Sequence, residues 1–405
     1  MFAKSVQPAR CQGFLLIGVC IYFGLLPFLN SSGKAIALFE TLCLLPLVAW
    51  LFIARKTAFI QFLISPLTLC FTLYVLYSAI SQMWGPDLIH YDTREFIRFS
   101  IYSFIGFLAI AAVIGEASEE QLKKAAVFVI GISTLAALWA LSDRYIVFAY
   151  PLTARLHFTG RIESAIHGLY FFAPATLLSI ILIVRRASLL PILPLAIFAL
   201  CFFMSQSRGP MLALFVAAAL IVSLHTFRNG LSKPLLFTTA CLALLVAVSA
   251  IIWGGNRGTS LRPELWALAF EGFLRHPIIG NGNDMMNVLI PNRGLGLHAH
   301  NIWMSHLYWG GLLGVMLFAL PQIMAIRNLL KARHHILNEL TLALFIYSLI
   351  ALLTYGNVVV APPGGIWFAF IVPMGMAGGV LYKAIAARAA ARCDSNHKTA
   401  GKSDL

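Results

Sequence analysis

The sequence predicts an all-α, polytopic membrane protein with about twelve transmembrane helices, and three observations carry that prediction. Of its 405 residues, 60% are hydrophobic and only 11% charged, where a soluble domain carries about 25%. The mean hydropathy is +0.86. Apolar runs of roughly 17 to 25 residues recur along the chain, each long enough to cross a bilayer core of about 30 Å. They are continuous rather than alternating, which excludes a β-barrel.

The elements follow in order. Lys4 and Arg10 precede an apolar run that continues to about Asn30 without a cleavage site, so it reads as a retained first span. The spans are expected near 13–30, 35–53, 58–80, 97–114, 125–141, 167–184, 189–204, 210–224, 234–253, 302–326, 340–360 and 366–382. They form one integral membrane domain over 1–405, with a large polar loop at 254–301 and a basic, disordered tail at 383–405. Glu40 is the one carboxylate clearly inside a span and reads as a partner for a neighbouring helix. Seven cysteines fall in or beside helices or in the tail, so no disulfide or metal framework is implied.

The net charge of +14 does not indicate nucleic acid, because the basic residues sit in short clusters between apolar runs. With twelve spans both termini share a side. That side collects 18 of the 29 basic residues, nine Lys and nine Arg, which makes it cytoplasmic. The opposite side holds Lys34 and ten arginines: Arg94, Arg98, Arg144, Arg155, Arg161, Arg208, Arg257, Arg262, Arg275 and Arg293. Topology signals accept either base, whereas a phosphate site favours the forked, permanently charged guanidinium. The excess of arginine therefore points to an external anion site, against the plainer reading of interfacial anchors that snorkel.

The loop at 254–301 is the most informative stretch. Pro263 and Glu264 suit a first helical turn, and Leu265, Trp266, Ala269, Phe270, Phe273 and Leu274 form an apolar stripe. His276-Pro277 ends this amphipathic helix, expected to lie in the interface against lipid or the bundle. Gly280-Asn281-Gly282-Asn283 reads first as a plain turn and second as a backbone cradle for an anion. The loop closes on His298-Ala299-His300-Asn301 at the mouth of the tenth span. An imidazole titrating near 6.5 suits general-base work, and Asn301 is placed to orient a ring. A zinc site at His298 and His300 is disfavoured, since no carboxylate or cysteine lies close in sequence; Asp87, Asp92 and Glu95 read first as solvated loop charges and are the best candidates only if a divalent ion is used. Ser205-Gln206-Ser207-Arg208-Gly209-Pro210 places a second arginine at a helix mouth.

A resemblance emerges from the order of these motifs. Ser-Arg-Gly before a span, Arg262 ahead of an amphipathic helix, Pro277-Ile278-Ile279-Gly280-Asn281-Gly282, and His300-Asn301 leading into Gly310-Gly311-Leu312-Leu313-Gly314 together resemble the O-antigen ligase superfamily over about 205–314. The resemblance implies a bacterial inner-membrane glycosyltransferase of the GT-C type, found in Gram-negative cells, with a periplasmic active site and cytoplasmic termini. It implies undecaprenyl-pyrophosphate-linked O-antigen as donor and lipid A–core as acceptor, an inverting reaction, and neither metal nor other cofactor. By position the base is His300 or His298, with His300 favoured because it precedes the asparagine, and Arg208 and Arg262 match arginines assigned to the pyrophosphate. Arg161, Arg275 and Arg293 join them on the chemical argument alone. O-antigen polymerase is the nearest alternative, and a protein O-oligosaccharyltransferase fits less well because the chain lacks a long soluble tail. A transporter or flippase is disfavoured because transporters place ionisable groups at the midplane. Membrane lipids are the remaining expected partners, and no oligomeric state follows from the pattern.

Overall fold

The computed structural model describes residues 3–54, 57–84, 93–185, 188–229, 262–282, 288–290, 294–296, 298–332 and 335–400. The chain folds as α1 (Ala3–Leu25), α2 (Ser32–Phe39), a π-helical turn (Glu40–Leu44), α3 (Leu45–Ala54), α4 (Thr57–Leu63), α5 (Pro66–Ile80), α6 (Thr93–Glu116), α7 (Glu119–Ser142), α8 (Ala165–Val184), α9 (Ile192–Met204) and α10 (Arg208–Asn229). After these come α11 (Arg262–Arg275), a two-stranded antiparallel hairpin of β1 (Val288–Ile290) and β2 (Gly294–Gly296), α12 (Ile302–Lys331), α13 (Ile336–Thr354), α14 (Gly365–Ala369) and α15 (Ile371–Ala400). The fold is that of a multi-pass α-helical membrane protein. Among the described residues, eight helices are long and apolar enough to cross a membrane, and the shorter apolar helices Gln12–Phe28 and Ile192–Met204 coincide with the first and seventh expected spans. The ninth, 234–253, lies outside the described residues. The third is broken at Ser65, whose side chain caps α5.

Aromatic and aliphatic side chains pack between helices as a continuous core, with α6 laid along α15, α10 along α13 and α5 along α12. Glu40 accepts a hydrogen bond from the Tyr102 hydroxyl of α6, the helix neighbour its mid-span position demands. At the far end of the bundle, Arg185 after α8 forks onto Glu339 of α13 through Nη2 at 2.7 Å and Nε at 3.1 Å.

The decisive local feature is a splice between the turn after α11 and α12. Gly311 has a φ of +60° and breaks α12. In an unbroken helix the N–H groups of Leu312 and Leu313 would donate to the carbonyls of Tyr308 and Trp309. Here they donate to Pro277 O at 2.9 Å and Ile278 O at 3.1 Å, while Asn281 N and Gly282 N donate to Tyr308 O at 3.0 Å and Trp309 O at 2.9 Å. Two lost bonds become four. Tyr77 of α5 closes the joint, its hydroxyl set against Ile279 O at 2.9 Å and Gly310 O at 2.8 Å. Gly280, at φ +70°, sits where a Cβ would collide with the Trp309 backbone. The twenty residues from Leu312 to Lys331 then rise about 30 Å, one hydrocarbon core.

This splice corrects the anion-cradle alternative for Gly280-Asn281-Gly282: the amides of Asn281 and Gly282 are engaged by α12, and the Asn281 side chain donates to Gly272 O and Tyr308 O, each at 2.9 Å. Asn283 lies outside the described residues. The tail is a second correction. A disordered segment is expected from 383, yet α15 runs to Ala400. The run Ala384–Ile385–Ala386–Ala387–Arg388–Ala389–Ala390–Ala391 is dominated by the strongest helix former, which outweighs its lack of apolar periodicity.

Candidate active site

Part of the set singled out in the sequence gathers where α11, α12 and the turn after α13 meet. His298 and His300 occupy the segment between β2 and α12, their ring centroids 3.8 Å apart. The His300 backbone N–H donates to His298 Nδ1 at 3.1 Å, so a neutral His298 carries its proton on Nε2. His300 takes a φ of +50°, a left-handed conformation that costs a side-chain-bearing residue about 1–3 kcal/mol and persists only where its surroundings impose it.

Those surroundings are specific. Asn301 caps α12, its Oδ1 accepting from Trp303 N at 2.9 Å and Met304 N at 3.3 Å. Its side chain makes no hydrogen bond to either histidine ring among the described residues, so the expected ring contact is replaced by a backbone anchor beside His300. The α11 stripe splits in two. Leu265, Ala269 and Gly272 are buried, the first two against Ala299, while Phe270 and Leu274 stay exposed. Trp266 Nε1 donates to Ala299 O at 2.9 Å, tying α11 to the residue between the two histidines. Tyr355, immediately after α13, sets its ring 5.8 Å from His298, 5.7 Å from His300 and 5.5 Å from His167 at the head of α8.

Arg262 opens α11, and its charge reaches His300. Burial, followed by the Arg262 charge, holds the His300 imidazole below its ordinary value, and burial together with His300 pushes His298 down to about 4. Both rings are neutral at neutral pH. Arg208 opens α10, and its neighbour Gly209 lies so close to Thr354 that a Cβ there would collide with that side chain. This packing sets Arg208 beside the turn that carries Tyr355. Arg155 braces the approach: Nε donates to Ser205 O at 2.8 Å and Nη2 to Ser207 Oγ at 2.7 Å. Gln206 takes a φ of +52° and donates through Nε2 to Thr153 O at 2.9 Å.

The structure thus brings together His298, His300, Asn301 and Arg262, and sets the head of α10, where Arg208 stands, against Thr354, the residue before Tyr355. It does not bring in Arg275, which ends the fourteen-residue α11, about 20 Å of helix rise from Arg262. Arg161 faces a separate cavity; its charge reaches His167 and Tyr22, whereas the arginine acting on His300 is Arg262. Arg293, like Arg257, Asp87 and Asp92, lies outside the described residues. Among the described residues no group of three or more His, Cys, Asp or Glu is arranged to hold a metal ion. Sequence reasoning missed Tyr355, which it placed inside the eleventh span, and gave Arg155 no part in the site.

Fold and site define a multi-pass membrane protein that holds two neutral imidazoles and several arginines at one end of its bundle. Residues 193–319, running from α9 into α12 and including Arg208, Arg262, His298, His300 and Asn301, match the O-antigen ligase family model. An O-antigen ligase of Pseudomonas aeruginosa is 26% identical over 317 residues, 77% of this chain and 77% of that protein. The chain is thus similar to O-antigen ligases, over 193–319 by the family model and over 77% of its length by the Pseudomonas aeruginosa protein.

Proposed function

We propose that this protein transfers O-antigen polysaccharide from undecaprenyl pyrophosphate to a hydroxyl of lipid A–core at the periplasmic face of the inner membrane, with both termini cytoplasmic. The observation that carries the proposal is the pairing of a neutral His300, held in a strained backbone conformation, with Arg262 at the head of α11. A glycosyl pyrophosphate is already activated. Its transfer needs a base for the acceptor hydroxyl and cations for the departing pyrophosphate.

In this reading the acceptor O–H gives its proton to His300 as its oxygen attacks the anomeric carbon. The bond from that carbon to the pyrophosphate oxygen breaks in the same displacement, inverting the centre. The electron pair stays on the undecaprenyl pyrophosphate, whose charge Arg208 and Arg262 stabilise by forked hydrogen bonds. His298 supports His300 by accepting from its backbone N–H. Guanidinium groups take the neutralising part that a divalent ion plays in other transferases, so turnover is expected without added metal.

The test mixes the purified protein with lipid-linked O-antigen and lipid A–core in detergent containing EDTA. The proposal expects a ladder of glycosylated lipid A–core that disappears in His300→Ala. Lengthening of the lipid-linked glycan itself, with lipid A–core unmodified, would make the protein a polymerase.

A further inference from the structure

A polar cavity, of about 710 Å³, opens between the first turns of α2 and α6 and the Gly160–Ile162 turn. Its walls include Ser32, Glu40, Glu95, Arg98, Phe99 and Arg161. That volume lies within the range of small-ligand sites, roughly 300–1,000 Å³. Its two carboxylates and two guanidiniums balance in number but are paired unevenly. Arg98 Nη2 meets Glu95 Oε1 at 3.3 Å, and Glu40 takes the Tyr102 hydroxyl. Arg161 is half-buried, makes one long hydrogen bond from Nε to Pro363 O at 3.5 Å, and has no carboxylate partner among the described residues. A half-buried guanidinium without a counter-ion is costly and calls for an anion.

The neighbours of Arg161 decide which anion. A phospholipid phosphodiester offers only acceptor oxygens, and these would face the carboxylates of Glu40 and Glu95. A sugar carrying an acidic group offers that acid to Arg161 and hydroxyl donors to the carboxylates, with Phe99 as an apolar wall for its ring face. The cavity also lies next to the candidate centre, since the Arg161 charge reaches His167, and the His167 ring is 5.5 Å from Tyr355, which borders His300. We propose that this cavity is a saccharide subsite that recognises one acidic sugar unit, phosphorylated or carboxylated, of a glycan substrate, with Arg161 holding the acid and Glu95 and Glu40 accepting from hydroxyls. Only the choice of test glycans rests on the ligase reading.

The experiment measures binding without turnover. Full-length protein in nanodiscs is titrated with three lipid-free oligosaccharides: a phosphorylated core oligosaccharide, the same after phosphatase treatment, and an oligosaccharide released from the donor lipid. The subsite predicts that at least one acidic oligosaccharide binds. Arg161→Gln, and removal of the acid where it is a phosphate, should each weaken that binding about tenfold or more, the worth of a charge-assisted hydrogen bond. Glu95→Gln, an exposed change that leaves the fold intact, should weaken it about threefold or more. Which of the core and donor sugars responds identifies the glycan. Wild-type binding that Arg161→Gln and Glu95→Gln leave unchanged, or displacement by glycerophosphate as effective as by the sugar, overturns the subsite. Transfer by wild-type protein that binds none of the three overturns the subsite alone. Arg161-dependent binding in a protein without transfer supports the subsite and counts against the ligase reading.

Discussion

Two histidines six residues apart differ in the one property that separates a site from a scaffold. His306 is fully buried in α12. Its Nδ1 donates to Ile302 O at 2.7 Å, which leaves Nε2 to accept from the Tyr74 hydroxyl at 2.9 Å. Its ring is sandwiched by Phe318 and Trp309. His300 is half-buried, and neither of its ring nitrogens has a hydrogen-bond partner among the described residues. It sits instead against His298 and Tyr355, with Arg262 adding charge. An imidazole with both nitrogens engaged contributes packing and satisfied polarity. One held in place by its backbone and its ring faces, with its nitrogens open, can exchange a proton.

The comparison breaks most sharply by swapping losses. His300→Ala should lower transfer by about 10²–10⁴-fold, the usual worth of a general base, with an unchanged melting temperature in detergent. His306→Ala should do the reverse, because it opens a cavity and strands the Tyr74 hydroxyl, together about 2–5 kcal/mol. The melting temperature should drop by several degrees while the remaining folded protein still transfers. Equal melting-temperature losses from the two would erase the distinction.

Smaller changes sharpen it. Arg262→Gln should reduce kcat by about 10²–10³-fold in the ladder assay, the scale of losing one preorganised charge-stabilising donor, and a loss confined to KM would leave Arg262 as a binding residue only. His298→Ala removes the acceptor for the His300 N–H but not the base itself, so a loss of about tenfold in kcat/KM is expected. A loss as large as that of His300→Ala would make His298 the base. Tyr77→Phe removes the hydroxyl between Ile279 O and Gly310 O. It should cost about 1–3 kcal/mol of stability, read as a lower melting temperature with activity per folded molecule near wild type.

A similar contrast governs what was legible in the sequence. Composition and run length sufficed for a helical membrane protein, because a bilayer admits few solutions for an apolar backbone. The amphipathic helix was legible from Pro263 through His276 because caps and periodicity agree. The glycine-rich turn and the His-Ala-His-Asn segment look alike on paper, since both are polar, irregular and next to helices. Only the fold distinguishes them. The amides of Asn281 and Gly282 pair with a carbonyl row exposed by the break at Gly311, 29 residues beyond Gly282, and no local pattern encodes that pairing. Tyr355 was illegible for the same reason, since its neighbours His167 and His300 lie on α8 and before α12. The arginines were legible as a group, but their division between Arg262 beside His300 and Arg161 in a separate cavity depends on how α6 and α11 are placed.

The most direct test of the account is the pH dependence of kcat/KM for transfer, measured from pH 4.5 to 8.5 at constant ionic strength in wild type and Arg262→Gln. A base must be unprotonated to act, so activity is lost as pH falls through the folded-state pKa of His300. Burial and Arg262 hold that pKa below the ordinary imidazole value near 6.5. The account predicts a wild-type rate that stays level through neutral pH and falls only below about 6.5, with the limb moving to higher pH in Arg262→Gln once the repelling charge is gone. A limb at the same pH in both proteins, or one above 6.5 in the wild type, would contradict the assignment of His300 as a base governed by Arg262.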